Sequence, residues 1–291
     1  MAKIVYVGIA PHDPTLPHQV AAADTGHPVF RQIRDDYERM RTSLAQARPD
    51  VIVMASGDHF NQWFYNNIPA FGIGKGSNTA GPFPWEEEVY RLPKYQAPGH
   101  HDLGRHLLES LLERHFDLAS SDDYGIDHGF TVPLQALRPE QDIPVIPLWT
   151  NVLVPPIPPG QRYYDLGVAL RQSLHTAPAE LRVAVLATGH MTNSVGGPAM
   201  DRFTTEPVTP WDLRTWELFT NGRVDDLLPD CTWDKLYAQG NGTPGFMVHL
   251  VAWGVVQGAL PTWCDMTSSQ ASFVNTFLEW DEEAINEGGH R

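Results

Sequence analysis

Histidine is the residue type that stands out for chemistry in this chain. His12 comes just after the apolar run 4–9. His59 ends Gly57-Asp58-His59 behind the run 51–55, and His190 lies in Thr188-Gly189-His190-Met191 behind the run 183–187. A neutral imidazole is a good ligand for zinc, iron, copper or nickel, so imidazoles at neighbouring strand exits could share one ion. Each alone also reads as a loop histidine satisfying a hydrogen bond. His128 lies in Asp127-His128-Gly129-Phe130, where the aspartate could orient the ring and the glycine permits close approach of backbone. Such a histidine could hydrogen-bond a bound substrate. His249 differs, sitting in the apolar stretch Phe246-Met247-Val248-His249-Leu250-Val251, where a packed core histidine is the plain reading.

The elements that must hold these residues alternate in period. Runs 4–9, 51–55, 143–148 and 183–187 are short, apolar and β-branched, as buried strands are. Between them, Phe30, Ile33, Tyr37, Met40 and Leu44 recur at helical spacing. Leu103, Leu107, Leu111 and Leu112 mark a second helix, and Leu166, Leu170 and Leu174 a third. A last helix is predicted over 244–257, with Pro244 in its first turn and Gly258 at its end. The alternation predicts an α/β sandwich with a largely parallel central sheet flanked by helices. In such sheets the ligand site lies beyond the carboxyl ends of the strands, where His12, His59 and His190 fall.

Composition narrows the function classes. The chain has 291 residues and a net charge of −15, which disfavours nucleic acid and anionic membranes as partners. No apolar run reaches the length of a membrane span, and the start shows no signal-peptide layout. Two cysteines, Cys231 and Cys264, are too few for a disulfide framework, and a reducing cytoplasm is the expected compartment. No stretch divides the chain, so residues 1–291 are expected to form one catalytic domain.

Five stretches together resemble the class III extradiol ring-cleavage dioxygenases, in particular the catalytic subunit of protocatechuate 4,5-dioxygenase and its gallate-cleaving relatives. They are the strand ending in His12, then Gly57-Asp58-His59 with Ile68-Pro69-Ala70-Phe71-Gly72, then Asp127-His128-Gly129-Phe130-Thr131-Val132-Pro133-Leu134. Ile143-Pro144-Val145-Ile146-Pro147-Leu148 leading to Asn151-Val152, and the close Gly258-Ala259-Leu260-Pro261, complete the set. The resemblance implies a non-haem Fe(II) site of two histidines and a glutamate, with His12 and His59 as the histidines and His128 near the substrate. Counting back from Gly258, the glutamate position holds His249, which turns the expected ligand set into His12, His59 and His249. Where relatives read roughly Gly-Gly-x-Ser-His, this chain reads Gly189-His190-Met191-Thr192-Asn193, so the acid/base position holds Asn193. Asparagine cannot take up a proton. His128 or His190 would have to supply that role.

The function this implies is cleavage of a catechol-like ring with O2, the partners being a small aromatic substrate and O2. Three neutral imidazoles leave a divalent ion at its full charge; Fe(II) is the expected metal, with zinc or manganese as alternatives. A divalent-metal hydrolase or lyase on the same scaffold is therefore the competing reading, followed by a non-enzymatic metal-binding protein. Relatives cover the site mouth with a small helical subunit, so a homodimer or such a partner is the expected assembly.

Overall fold

The computed structural model describes residues 2–24, 28–178, 180–196, 209–270 and 273–288. In chain order the first part runs β1 (Lys3–Ala10), α1 (Leu16–Ala21), α2 (Val29–Ala47), β2 (Val51–Gly57), β3 (Phe71–Gly74), β4 (Asn78–Gly81) and α3 (Pro84–Val89). Next come β5 (Tyr95–Pro98), α4 (His101–Glu113), β6 (Ala119–Ser121), α5 (His128–Leu137), β7 (Val145–Thr150), α6 (Gly160–His175) and β8 (Arg182–Thr188). The last part is α7 (Pro210–Thr220), α8 (Val224–Leu227), α9 (Trp233–Tyr237), α10 (Met247–Val256), β9 (Trp263–Gln270), β10 (Phe273–Asp281) and α11 (Glu282–Gly288).

Eight of these strands form one sheet in the order β6-β3-β7-β2-β8-β1-β10-β9. The four runs predicted as strands are its centre: β7, β2, β8 and β1 are neighbours and mutually parallel, with Val53 opposite Ile146 on one side and Val185 on the other. Every residue of β2 is buried, as a strand covered on both faces requires. Antiparallel pairing enters at the flanks, where β3 joins β7 and β10 joins β1 and β9. The α/β architecture with a mostly parallel centre is thus as predicted, and the flanking strands extend it.

Helices cover both faces. The apolar stripe of α2, Phe30 to Leu44, packs with Phe130, Leu134 and Leu137 of α5 over one side of the sheet. Helices α4, α6 and α10 close the other side. Helix α10 is buried along its whole length, and its apolar character all round fits that position. It begins three residues later than predicted, because Pro244 lies in a short 3-10 turn, Thr243–Phe246, that leads into it. It ends as predicted, with Gln257 and Gly258 both at positive φ. No described helix is long and apolar enough to cross a membrane.

Candidate metal and substrate site

The parallel strands all end at one edge of the sheet, and four histidines meet there. The His12 ring, two residues past β1, lies 5.1 Å from His59, 5.8 Å from His128 and 4.8 Å from His190, centroid to centroid. His59 and His128 are 4.1 Å apart. The nitrogens of His12, His59 and His128 fall within 4.8 Å of one another, a group that could hold a metal ion.

Carboxylates fix two of these rings. Asp127 caps the start of α5 by accepting from the Gly129 N–H (2.9 Å), and its other oxygen accepts from the His59 backbone N–H (3.0 Å) and Nδ1 (3.1 Å). The sequence suggested that Asp127 would orient its neighbour His128; it orients His59 instead. Glu86, fully buried in the short helix α3, takes His128: one oxygen accepts from its backbone N–H (3.0 Å) and Nδ1 (2.6 Å). The second oxygen accepts from the Phe83 N–H at the head of α3 (3.0 Å). An ionised carboxylate only accepts, so in both pairs Nδ1 is the donor, and Nε2 is the ring nitrogen left to bind a metal when the imidazole is neutral. Metal-ligating histidines are held in this way by partners behind them.

Burial and charge set the protonation. Burial lowers His12 well below the ordinary imidazole value, and repulsion from His190, His59, His128 and His249 lowers it further. Burial also works against a charged His59, but the charge and hydrogen bond of Asp127 outweigh it and raise its pKa. The converse holds for Asp127, which burial would raise but His59 holds at about 2. Burial pushes His190 down to about 3. It is neutral across the working range. Three buried imidazole nitrogens, Nδ1 of His12, His190 and His249, have no hydrogen-bond partner.

The loop that begins α5 is locked to the strand ends. Thr188 donates to the Gly129 carbonyl (3.0 Å), and its hydroxyl lies 2.9 Å from Ser56 Oγ. Gly129 is required here, since a Cβ would stand 2.4 Å from Ser56 Oγ and 3.0 Å from His59 Cε1.

These histidines floor a cavity of about 450 Å³, the size of a small-ligand site. Its walls include Phe60, Trp85, Tyr90 and Phe273. Trp63 packs edge-on against Trp149 and does not line this cavity. Tyr65 is mostly exposed and stacks on Phe60. Asn193 lines the cavity, with its side-chain oxygen buried and without a partner.

His249 is not brought into the three-nitrogen group. Its ring stacks on Phe246 at 5.0 Å, and Nε2 is 2.8 Å from the Thr276 hydroxyl. It abuts Gly189, where a Cβ would stand 3.0 Å from its Nδ1, and it is not among the residues that line the cavity. Burial pushes its pKa down to about 3. Glu86, in contrast, escaped the sequence reading. Its one signal is Pro84 at the head of a helix with an acidic residue two places on, and the run Glu86-Glu87-Glu88 otherwise reads as a solvated face.

The chain is 33% identical over 165 residues to a gallate dioxygenase of Pseudomonas putida, covering 56% of this chain and 46% of that protein. It is 30% identical over 171 residues to a 2,3-dihydroxyphenylpropionate/2,3-dihydroxicinnamic acid 1,2-dioxygenase of Photorhabdus laumondii, covering 58% of this chain and 51% of the relative. It thus spans about half the length of each of these two relatives. A protein of the same description from Mycolicibacterium smegmatis is 28% identical over 251 residues, 72% of this chain and 76% of the other. The crystal structure of an uncharacterized protein from Escherichia coli K12 superposes with a TM-score of 0.53 at 15% identity, over 94% of this chain and 99% of that one, and shares the fold. Residues 6–278 match the family described as the catalytic LigB subunit of aromatic ring-opening dioxygenase, and the chain belongs to that family.

Proposed function

We propose that this chain opens a catechol-type ring with O2 at a divalent metal, iron(II) by preference. The observation that carries the reading is the cluster of imidazoles at the strand ends, flooring an aromatic-walled cavity in a chain of the ring-opening family. The residues fit a metal: His59 and His128 each have Nδ1 engaged by a carboxylate and Nε2 available, and His12 has a buried nitrogen without a partner. His12, His59 and His128 would hold it. Once bound, the ion supplies Lewis acidity toward two vicinal hydroxyls and a route for electrons to O2.

The chain's own residues supply the rest. Asp127 and Glu86 keep two rings in one tautomer and one orientation. His190 lines the cavity, and as a neutral imidazole with an unpartnered Nδ1 it can accept a hydrogen bond from a substrate hydroxyl. Asn193 can hydrogen-bond the ring oxygens but not move their protons. Phe60, Trp85 and Tyr90 stack around the ring and exclude water.

The orphaned Nδ1 of His249 favours a second reading, in which it takes the third ligand position in place of His128. The exposed side chains of Phe64 and Tyr65 suit closure of the site by a second copy or a small helical partner, and two free thiols suit a cytoplasmic setting. The test is anaerobic reconstitution with Fe(II), Mn(II) or Zn(II), then O2 uptake and absorbance with a catechol panel. Ring opening with iron is expected; turnover with zinc alone, without O2, would move the site to hydrolase or lyase chemistry. Metal content of His128→Ala and His249→Ala decides the third ligand, the true one losing at least about tenfold in affinity.

A further inference from the structure

The ring-opening reading leaves open what the ring carries, and the cavity wall bears on it. Asp13, directly after His12, lines the cavity and is 3% exposed. One of its oxygens accepts from the Thr15 N–H (2.8 Å) and hydroxyl (2.7 Å). The other, Oδ2, is buried with no partner at all. A buried carboxylate oxygen without a donor carries a desolvation cost that a ligand donor would remove. Among the described residues lining the cavity, none is lysine or arginine, and the chain as a whole carries −15. A substituent with its own carboxylate would meet Asp13 without a counter-charge. A positively charged one would bring donors to an unpaired acceptor, in a cavity lined by the aromatic side chains of Trp85 and Tyr90, a residue type that attracts cations.

We infer that the catechol accepted here bears an alkylammonium arm and no carboxylate, and that Asp13 is the residue that selects it. This rests on the ring-opening reading for the catechol itself, and on Asp13 and the cavity charge for the arm.

The test separates the two. Protein loaded with Zn(II), which holds the catechol without consuming O2, is titrated calorimetrically with three ligands of matched arm length: 4-(2-aminoethyl)catechol, 4-ethylcatechol and 3-(3,4-dihydroxyphenyl)propionate. The amine is expected to bind at least about tenfold more tightly than the propionate, the scale of one charged hydrogen bond, with the neutral ligand between them. Asp13→Asn should bring that ratio below about threefold, whereas Asp13→Glu should retain it. A merely structural role for Asp13 would weaken all three ligands and leave the ratio. Equal or tighter binding of the propionate, or a ratio unmoved in Asp13→Asn, overturns the inference. If the Asn chain does not fold, the ratio in the unsubstituted protein decides alone. Preferential binding of the amine with no O2 uptake by the Fe(II)-loaded protein would sink the ring-opening reading and leave the amine preference standing. Equally efficient opening of the propionate would do the reverse.

Discussion

Replacing Glu86 by Gln tests whether a buried carboxylate holds the His128 side of the site. The substitution keeps volume and one acceptor oxygen but removes the charge. The bonds from the His128 N–H (3.0 Å) and Nδ1 (2.6 Å) become neutral, each losing about 0.5–1 kcal/mol. The amide nitrogen then faces the Phe83 N–H that the second oxygen had accepted (3.0 Å), and two donors cannot satisfy each other. Leaving that donor unpaired costs about 1–2 kcal/mol. The loss sums to about 2–4 kcal/mol, a large part of the roughly 5–15 kcal/mol that holds a domain folded. A freed His128 ring should also weaken metal binding by about 10–100-fold. Urea denaturation gives the first number, and metal titration against a chelator gives the second. Glu88→Gln, on the exposed side of the same helix, is the control and should change stability by less than about 0.5 kcal/mol. If Glu86→Gln matches that control and keeps its metal affinity, the carboxylate does not position His128 and the account of the site is wrong on that side.

Two further substitutions probe other parts of the frame. Gly129→Ala forces a Cβ to within 2.4 Å of Ser56 Oγ and 2.9 Å of Asp127 Oδ1, so it should cost about 1–3 kcal/mol and disturb the Asp127–His59 pair; unchanged thermal stability and metal content would refute the close packing. Asp36, on α2, has its pKa raised to about 7 by burial and then by the neighbouring Asp265 carboxylate. A raised carboxyl pKa means that the folded state holds the proton longer, so its contribution is full below about pH 4 and is lost as pH rises through about 7. Asp36→Asn escapes that loss and should gain about 1–2 kcal/mol on the unsubstituted protein between pH 5 and pH 8.5, after allowance for solvent screening. Denaturant midpoints at the two pH values measure it, and parallel curves would refute the raised Asp36 pKa.

The parallel centre of the fold was legible because its strands are covered on both faces and so are written as unbroken β-branched runs. That same rule pointed to the strand exits and hence to His12, His59 and His190. The β9–β10 hairpin was not legible. Asn275, Thr276 and Glu279 are buried in β10, and polar residues with tertiary partners look the same in sequence as polar residues facing water. Glu86 was hidden for a related reason: a triplet of glutamates does not disclose which one faces inward. The Asp127–His59 pairing was misassigned to His128 because adjacency in sequence was allowed to stand for adjacency in space. At His249 the ring bonds Thr276 through Nε2 and leaves Nδ1 without a partner, a detail of tertiary packing that no sequence spacing discloses.

The place of β1 in the sheet has a consequence for how the protein is made. The strand that delivers His12 emerges first, yet its neighbours are β8 and β10, and Tyr6 meets Glu279 across 273 positions of chain. Most of the polypeptide must be synthesised before either edge of that strand can pair. Contacts of such long range are slow to form, because the entropy of closing the loop is lost before the pairing energy is gained. Until then the apolar segment 3–10 has no sheet to join and is open to chaperones and to aggregation. The first histidine of the cluster to leave the ribosome therefore takes its seat only after β8 has emerged, and shortening the chain before β10 would remove one of the two strands that flank β1.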